Sequence, residues 1–336
     1  MKLSALGDVL QALPTLEALR AAYPQARITW LVETAYAPLL QGHPALDEVW
    51  PAPRLRLGQE GAGRDLATVM RLIRRLRSQP FDLVIDLQGL LKSAIWVALA
   101  KSPRKLGYNG TREGSYLVLT ERLAPYDPEA HAVWRYLNVA HYLGAPPTLP
   151  RFRLSWATDV DTNKVITIDA ARPQVVLHPG ARWITKLWPT ILWAQLADWL
   201  NLGKGCDVII TGSGTDRPLV AAIIEQMQGK AINLAGRTSL KELAALMRQA
   251  ALAVTTDTGP MHLAAALGIP VVALFGPTAP WRTGPFGEGH AIVRLELECS
   301  PCFKRRCPEP RCLTALPVET VQTACEKTLA ARGIIE

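Results

Sequence analysis

Four apolar, β-branched runs in the second half of the chain, Val175-Val176-Leu177, Val208-Ile209-Ile210, Val254-Thr255 and Val271-Val272-Ala273-Leu274, alternate with segments of helical period near 190–202, 217–228, 239–250 and 260–267. Such a strand-then-helix rhythm predicts a parallel sheet covered on both faces by helices. Helix starts are marked by a capping box, Ser239 with Glu242, and by Pro260, placed at a first turn where its missing N–H costs nothing. The first half repeats the pattern less regularly. Ile28-Thr29-Trp30-Leu31-Val32 and Leu83-Val84-Ile85 read as strands, with helices near 9–22, 64–77, 90–100 and 130–142. A Pro-rich stretch at 145–150 breaks the rhythm. The expected architecture is α/β, with two Rossmann-like domains (1–155 and 156–336) joined near residues 145–170 and ligands in the cleft between them.

Charge narrows the partners. With 37 Lys+Arg against 29 Asp+Glu, the formal charge of +8 suits phosphate-rich ligands, an anionic membrane face or nucleic acid. No aromatic-interleaved basic stretch, zinc-finger helix or RNP-like strand is present, which argues against nucleic acid. The densest basic run, Arg71, Arg74, Arg75 and Arg77, falls on an expected helix with Leu66, Met70, Ile73 and Leu76 as its apolar face, and reads as a solvated side. No run of about 18 apolar residues is present to span a bilayer. With no signal-peptide pattern ahead of the first helix, the expected location is the cytoplasm, where six cysteines should stay reduced unless they bind metal.

Four turns carry candidate chemistry. KLSALGDVLQALP, residues 2–14, places Gly7-Asp8 at the start of an amphipathic helix. In parallel α/β folds such turns follow a strand, at the ligand crevice. Only Met1 to Leu3 precede this one, so the natural start is expected upstream, leaving the first strand truncated; the alternative is that Met1 to Leu3 form an abbreviated edge strand. HPGARWITKLWP, residues 178–189, offers a Pro-Gly turn and Lys186, either a phosphate cradle or a surface turn with a solvated lysine. In TTDTGPMHLAAALGIP, residues 255–270, Asp257 suits sugar hydroxyls better than phosphate; alternatively, Asp257 and Thr258 merely cap the helix, and His262 is either packed or a ligand. The Gly-rich turn 211–216 ends in Asp216, from which a carboxylate can reach a ribose diol, although no GxGxxG fingerprint is present. Cys299, Cys302, Cys307 and Cys312 fall within 14 residues, but their spacing fits standard zinc ribbons poorly and reduced loop thiols are the expectation.

Taken together, KLSALGDVLQALP, FDLVIDLQGLLKS, TREGSY followed by HAVWRYL, HPGA with a following Lys and Trp-Pro, and DTGPMHLAAALG with VVALFGPT resemble glycosyltransferase family 9, the ADP-heptose:lipopolysaccharide heptosyltransferases. The first half looks more like the enzyme adding the first heptose to Kdo than the one adding the second. The resemblance implies a GT-B fold, with parallel sheets facing a central cleft, an N-terminal acceptor domain and a C-terminal donor domain. It implies Asp8 as general base, Lys186 on the diphosphate, Asp216 on the adenosine ribose and Asp257 on the heptose, helped by backbone N–H groups around Thr258, Gly259 and His262. Arg112 and His131 match acceptor-side positions that meet Kdo carboxylate or phosphate. One departure is Ala181-Arg182, where relatives of the first-heptose type carry a Thr pair.

The implied reaction is inverting transfer of heptose from ADP-L-glycero-D-manno-heptose to Kdo-lipid A at the inner face of the cytoplasmic membrane, with peripheral attachment. A base takes the acceptor's proton during attack, and a lysine and a helix N-terminus stabilise the departing diphosphate. No cofactor is expected, and no Asp-x-Asp pair beside the donor motifs suggests a metal. The alternatives are transfer to a heptose acceptor, a nucleotide-sugar epimerase, and a non-catalytic nucleotide-sugar-binding or lipid-binding protein.

Overall fold

In the computed structural model, residues 1–54, 62–154, 160–161 and 172–334 are described. The chain forms two compact units, Met1–Arg153 and Leu154–Glu336. The linker expected near 145–170 falls in part outside the described residues.

The first unit carries β1 (Thr29–Glu33), β2 (Glu48–Ala52), β3 (Leu83–Asp86), β4 (Arg104–Tyr108) and β5 (Glu121–Leu123), with parallel pairings β1–β2 and β3–β4–β5. Met1 to Leu3 bridge the two groups. The Glu33 N–H donates to Leu3 O at 3.0 Å on one side, and the Leu87 N–H donates to Met1 O at 3.0 Å on the other. The alternative of an abbreviated edge is therefore corrected: the short segment occupies the middle of the layer, with Leu3 buried. Counted with it, the layer runs β2, β1, Met1–Leu3, β3, β4, β5, the 3-2-1-4-5-6 order of doubly wound folds.

The second unit has one six-stranded parallel sheet, β6 (Gln174–His178), β7 (Asp207–Ile210), β8 (Ala231–Asn233), β9 (Leu252–Thr256), β10 (Val271–Leu274) and β11 (Ala291–Val293). Its order, β11-β10-β9-β6-β7-β8, is again 3-2-1-4-5-6. Buried on both faces, the inner strands β6, β7, β9 and β10 are largely continuous apolar runs instead of alternating ones, while the edge strands β8 and β11 are partly exposed. The helix Val318–Ala330 packs Val321, Cys325 and Leu329 into the same core. Trp188 fixes the chain leading into that helix by donating from Nε1 to Leu316 O at 3.0 Å, and it meets Trp193 edge-on at 5.2 Å.

Helix Ala62–Ser78 corrects one patterning expectation. Leu72 and Leu76 face the core, while Leu66 and Met70, assigned to the apolar face, are exposed. The basic side is only partly solvated, because Arg75 stacks on Trp50 at 4.1 Å and pairs with Glu48. The capping box at Ser239 is formed, with the Ser239 N–H donating to Glu242 at 2.6 Å and the Glu242 N–H donating to Ser239 Oγ at 3.3 Å.

Candidate active site

In a doubly wound sheet the loops diverge where the strand order reverses, opening a crevice at the carboxyl ends of the two central strands. In the second unit those strands are β6 and β9. Asp257 directly follows β9, and Lys186 lies on the loop after β6. The structure brings them together: Lys186 Nζ donates to Asp257 Oδ2 at 2.6 Å and to Asp257 O at 3.1 Å. Thr278, from the loop after β10, donates its hydroxyl to the same Oδ2 at 2.6 Å. No bond to Asp257 Oδ1 is seen among the described residues. An ammonium has three N–H groups, so Lys186 retains one for an anion. The two loops are tied by Thr256, which donates to Gly180 O at 2.9 Å.

Thr258 stands at the N-cap of helix Gly259–Ala266, with Pro260 in its first turn, and its side chain makes no cap bond. The first N–H groups of a helix have no intrahelical acceptor, so Gly259 and its neighbours present a positive end beside Asp257. His262 is buried in that helix. Asp216 opens helix Arg217–Glu225, and its Oδ2 accepts from the Ser213 N–H at 2.7 Å and from Ser213 Oγ at 2.6 Å. Two glycines make room for Asp216. A Cβ on Gly180 would stand 2.7 Å from its Cγ, and one on Gly212 2.9 Å from its Cβ. His178 lies in the same layer with Nδ1 3.0 Å from Thr211 Oγ1; burial pushes its pKa down to about 4, outweighing Asp216 and keeping it neutral at pH 7.

In the first unit the reversal falls between Met1–Leu3 and β3, and Asp8 sits in the first turn of helix Leu6–Gln11 beside it. Asp8 Oδ1 accepts from Tyr136 Oη at 2.8 Å and lies 3.3 Å from Lys2 Nζ, while Oδ2 accepts from the Ala5 N–H at 3.1 Å. Lys2 Nζ also donates to Tyr136 Oη at 2.6 Å and to Leu87 O at 3.2 Å. Burial pushes the Asp8 carboxyl up, but the Lys2 ammonium and the two hydrogen bonds outweigh it and hold the group below the ordinary carboxylate range. Its side chain nonetheless keeps 41% of its exposure, whereas that of Lys2 keeps 3%. Asp8 is thus an ionised, reachable acceptor on a fixed mount.

Arg112 is exposed and begins the turn Arg112–Val118. His131 is the N-cap of helix Ala132–Tyr142, its Nδ1 accepting from the Val133 N–H at 3.2 Å, and so it anchors the helix that carries Tyr136. Sequence reasoning missed Lys2, Tyr136, Thr278, Gly180 and Gly212. Gly180 and Gly212 had a local signal in the Pro-Gly and Gly-rich turns, as did Thr278 in the turn after a buried strand, whereas nothing near Lys2 or Tyr136 in sequence marks either. The cysteines carry no disulfide, and among the described residues no group of three or more His, Cys, Asp or Glu side chains is arranged to hold a metal ion. A cavity of about 930 Å³ lies along the edge strand β11 and the helix Val318–Ala330, lined by residues that include Pro270, His290, Ala291, Val293 and Lys327.

Two doubly wound units with parallel sheets, together with the likeness to solved heptosyltransferases, place the chain in a class: the GT-B glycosyltransferases. The chain belongs to glycosyltransferase family 9 (heptosyltransferase), whose pattern matches residues 69–313. It is 32% identical to lipopolysaccharide heptosyltransferase 1 of Pseudomonas aeruginosa over 98% of this chain and 97% of that protein. With lipopolysaccharide heptosyltransferase 2 of Escherichia coli it shares 30% identity over 87% and 86% of the two chains. Among solved structures, E. coli heptosyltransferase WaaC with ADP superposes with a TM-score of 0.79 at 26% identity, covering 97% of this chain and 98% of that one. E. coli ADP-heptose heptosyltransferase II gives 0.78 at 27%, covering 99% and 100%. Among the described residues no helix is long and apolar enough to cross a membrane.

Proposed function

We propose that this chain is an inverting heptosyltransferase that moves heptose from ADP-L-glycero-D-manno-heptose to the Kdo-lipid A inner core of lipopolysaccharide, working in the cytoplasm with peripheral attachment to the inner membrane. The first unit takes the acceptor, with Arg112 and His131 on that side, and the second takes the donor. The resemblance of the first half to the enzyme adding the first heptose supports Kdo as acceptor, and the 32% identity to a lipopolysaccharide heptosyltransferase 1 agrees with it. The formal charge of +8 suits lipid phosphates and Kdo carboxylates.

The observation that carries the reading is Asp8: ionised, partly exposed and fixed from three directions. In the proposed step its carboxylate takes the proton of the acceptor hydroxyl as that oxygen attacks the anomeric carbon, and the bond to ADP breaks on the opposite face. Negative charge grows on the diphosphate as it leaves. The free N–H of Lys186 and the N-terminus of helix Gly259–Ala266 stabilise that charge more in the transition state than in the ground state. Asp257 accepts from a heptose hydroxyl through Oδ1, and Asp216 from the ribose.

The test is ADP release from ADP-heptose, with and without Kdo-lipid A, by the wild type and Asp8→Ala. Acceptor-dependent release that falls at least a hundredfold in the variant is the expected result. Release only with a heptosylated acceptor reassigns the acceptor, and equal release in the folded variant removes Asp8 from the chemistry.

A further inference from the structure

The cysteine-rich stretch 299–312 has no part in the reaction described so far, yet it is fastened to the donor loops at several points. Ser300 Oγ donates to Gly276 O at 2.6 Å, and the Cys302 and Phe303 N–H groups both donate to Pro277 O, at 3.1 and 2.8 Å. Those acceptors immediately precede Thr278, the residue that holds Asp257. On the other side, Thr185, buried next to Lys186 in sequence, donates its hydroxyl to Lys304 O at 2.8 Å. The two loops that set the Lys186–Asp257 pair are thus bonded to one segment, Ser300–Lys304.

Arg305 follows directly. Its guanidinium carbon lies 5.2 Å from the centre of the Trp183 ring, and Lys186 Nζ lies 4.7 Å from the same centre. Among the described residues Arg305 has no carboxylate partner, whereas the charge of Lys186 is already matched by Asp257 at 2.6 Å. The pair is close to neutral as a unit, and a diphosphate carrying at least two negative charges needs another cation. A guanidinium is suited to the task because its planar fork binds two phosphate oxygens at once and stacks on an indole without losing donors.

We infer that Arg305 is a phosphate-binding residue of the donor site, delivered to it by the cysteine-rich loop. This rests on the nucleotide-sugar reading of the second unit and adds a residue to it. In this arrangement Lys186 orients Asp257 and supplies one N–H, and Arg305 carries the larger share of the diphosphate charge. Thr185 is a positioning residue, since it touches only the backbone that presents Arg305.

The experiment is calorimetric titration of the full chain with ADP and with adenosine, for the wild type, Arg305→Ala, Arg305→Lys and the neighbouring Arg306→Ala. The expected result is about a tenfold weaker ADP affinity in Arg305→Ala with adenosine unchanged, partial recovery in Arg305→Lys, and no change in Arg306→Ala. Thr185→Val is expected to show the same ADP-selective loss in smaller measure. ADP binding in Arg305→Ala within twofold of the wild type overturns the inference while leaving the donor site standing. Equal losses for ADP and adenosine overturn it as well, by showing that Arg305 only supports the loop. A wild type that binds no ADP overturns the nucleotide reading itself, and Arg305 with it.

Discussion

Gly180→Ala isolates one contact of the candidate site. The residue lies outside the left-handed region, so alanine adds no backbone strain, and the whole effect comes from a Cβ placed 2.7–2.9 Å from three carboxylate atoms of Asp216. Those atoms must move by several tenths of an ångström, and the bonds from the Ser213 N–H and Oγ, at 2.7 and 2.6 Å, stretch or break. Because Asp216 is only half-buried, water replaces part of what is lost, and the cost to folding should be about 1 kcal/mol, the scale of a lost helix cap. For a unit of this size that corresponds to a fall in Tm of roughly 2–4 °C. If Asp216 accepts from the ribose, its displacement also removes charge-assisted hydrogen bonds of about 1.5–3 kcal/mol, or roughly 10- to 100-fold in ADP affinity. Thermal denaturation and calorimetric ADP titration of Gly180→Ala, beside the isosteric Asp216→Asn, measure the two effects separately. A lower Tm with unchanged ADP affinity would refute the ribose role, and no change in either would refute the steric argument.

Three other expectations follow from the same geometry. Tyr136→Phe removes the hydroxyl that fixes the direction of Asp8 Oδ1, so kcat/KM at neutral pH should fall about three- to tenfold through lost orientation, with Asp8 still ionised. The wild-type profile should stay flat well into acid, and a wild-type limb centred above pH 5 in steady-state kinetics would contradict an Asp8 held below the carboxylate range. Lys186→Met leaves Asp257 buried without its counter-ion and should cost about 3–5 kcal/mol in denaturant unfolding; Lys186→Met with Asp257→Asn should recover much of the stability and none of the transferase activity. His178 and His43 are both pushed down to about 4 by burial, so the unfolded chain binds more protons below its pKa of 6.5. Stability should therefore drop as pH falls from 6.5 towards 4, by roughly 2–3 kcal/mol per histidine at pH 4.5, and urea titrations of His178→Asn should show a correspondingly shallower slope.

What the sequence displays is local, and what it conceals is contact between distant segments. Strands β6, β7, β9 and β10 announce themselves because each is a buried apolar run bounded by turn residues. Strand β2 carries a proline and a charged first residue, and β4 begins Arg-Lys; β5, β8 and β11 have three residues each, too few to show a period. The turns bearing Asp8, Lys186, Asp216 and Asp257 were legible because Gly, Pro and Asp at the ends of strands mark loops. Their partners were not. Tyr136 lies 128 positions from Asp8, and nothing near either residue in sequence marks the other. The closeness of Gly180 to Asp216 likewise depends on β6 and β7 pairing in register, a fact of the sheet and not of either motif.

The two units repeat one device with different exposure, and the difference bears on the roles proposed for them. In each, a carboxylate at the reversal point is held by a lysine and a hydroxyl: Lys2 and Tyr136 for Asp8, Lys186 and Thr278 for Asp257. Asp8 retains 41% of its side-chain exposure and Asp257 7%. A base must be reachable by the hydroxyl it deprotonates and must be ionised beforehand, which the Asp8 arrangement meets. A carboxylate that orients a sugar needs a fixed direction more than access, and burial with two donors on one oxygen supplies it by leaving the other oxygen aimed in a single direction. Exchanging the roles would fail on both counts: Asp257 is too enclosed to take a proton from an incoming acceptor, and Asp8 is too open to keep water from competing for a donor hydroxyl. The difference in burial between the two carboxylates thus supports the proposed division into base and sugar ligand.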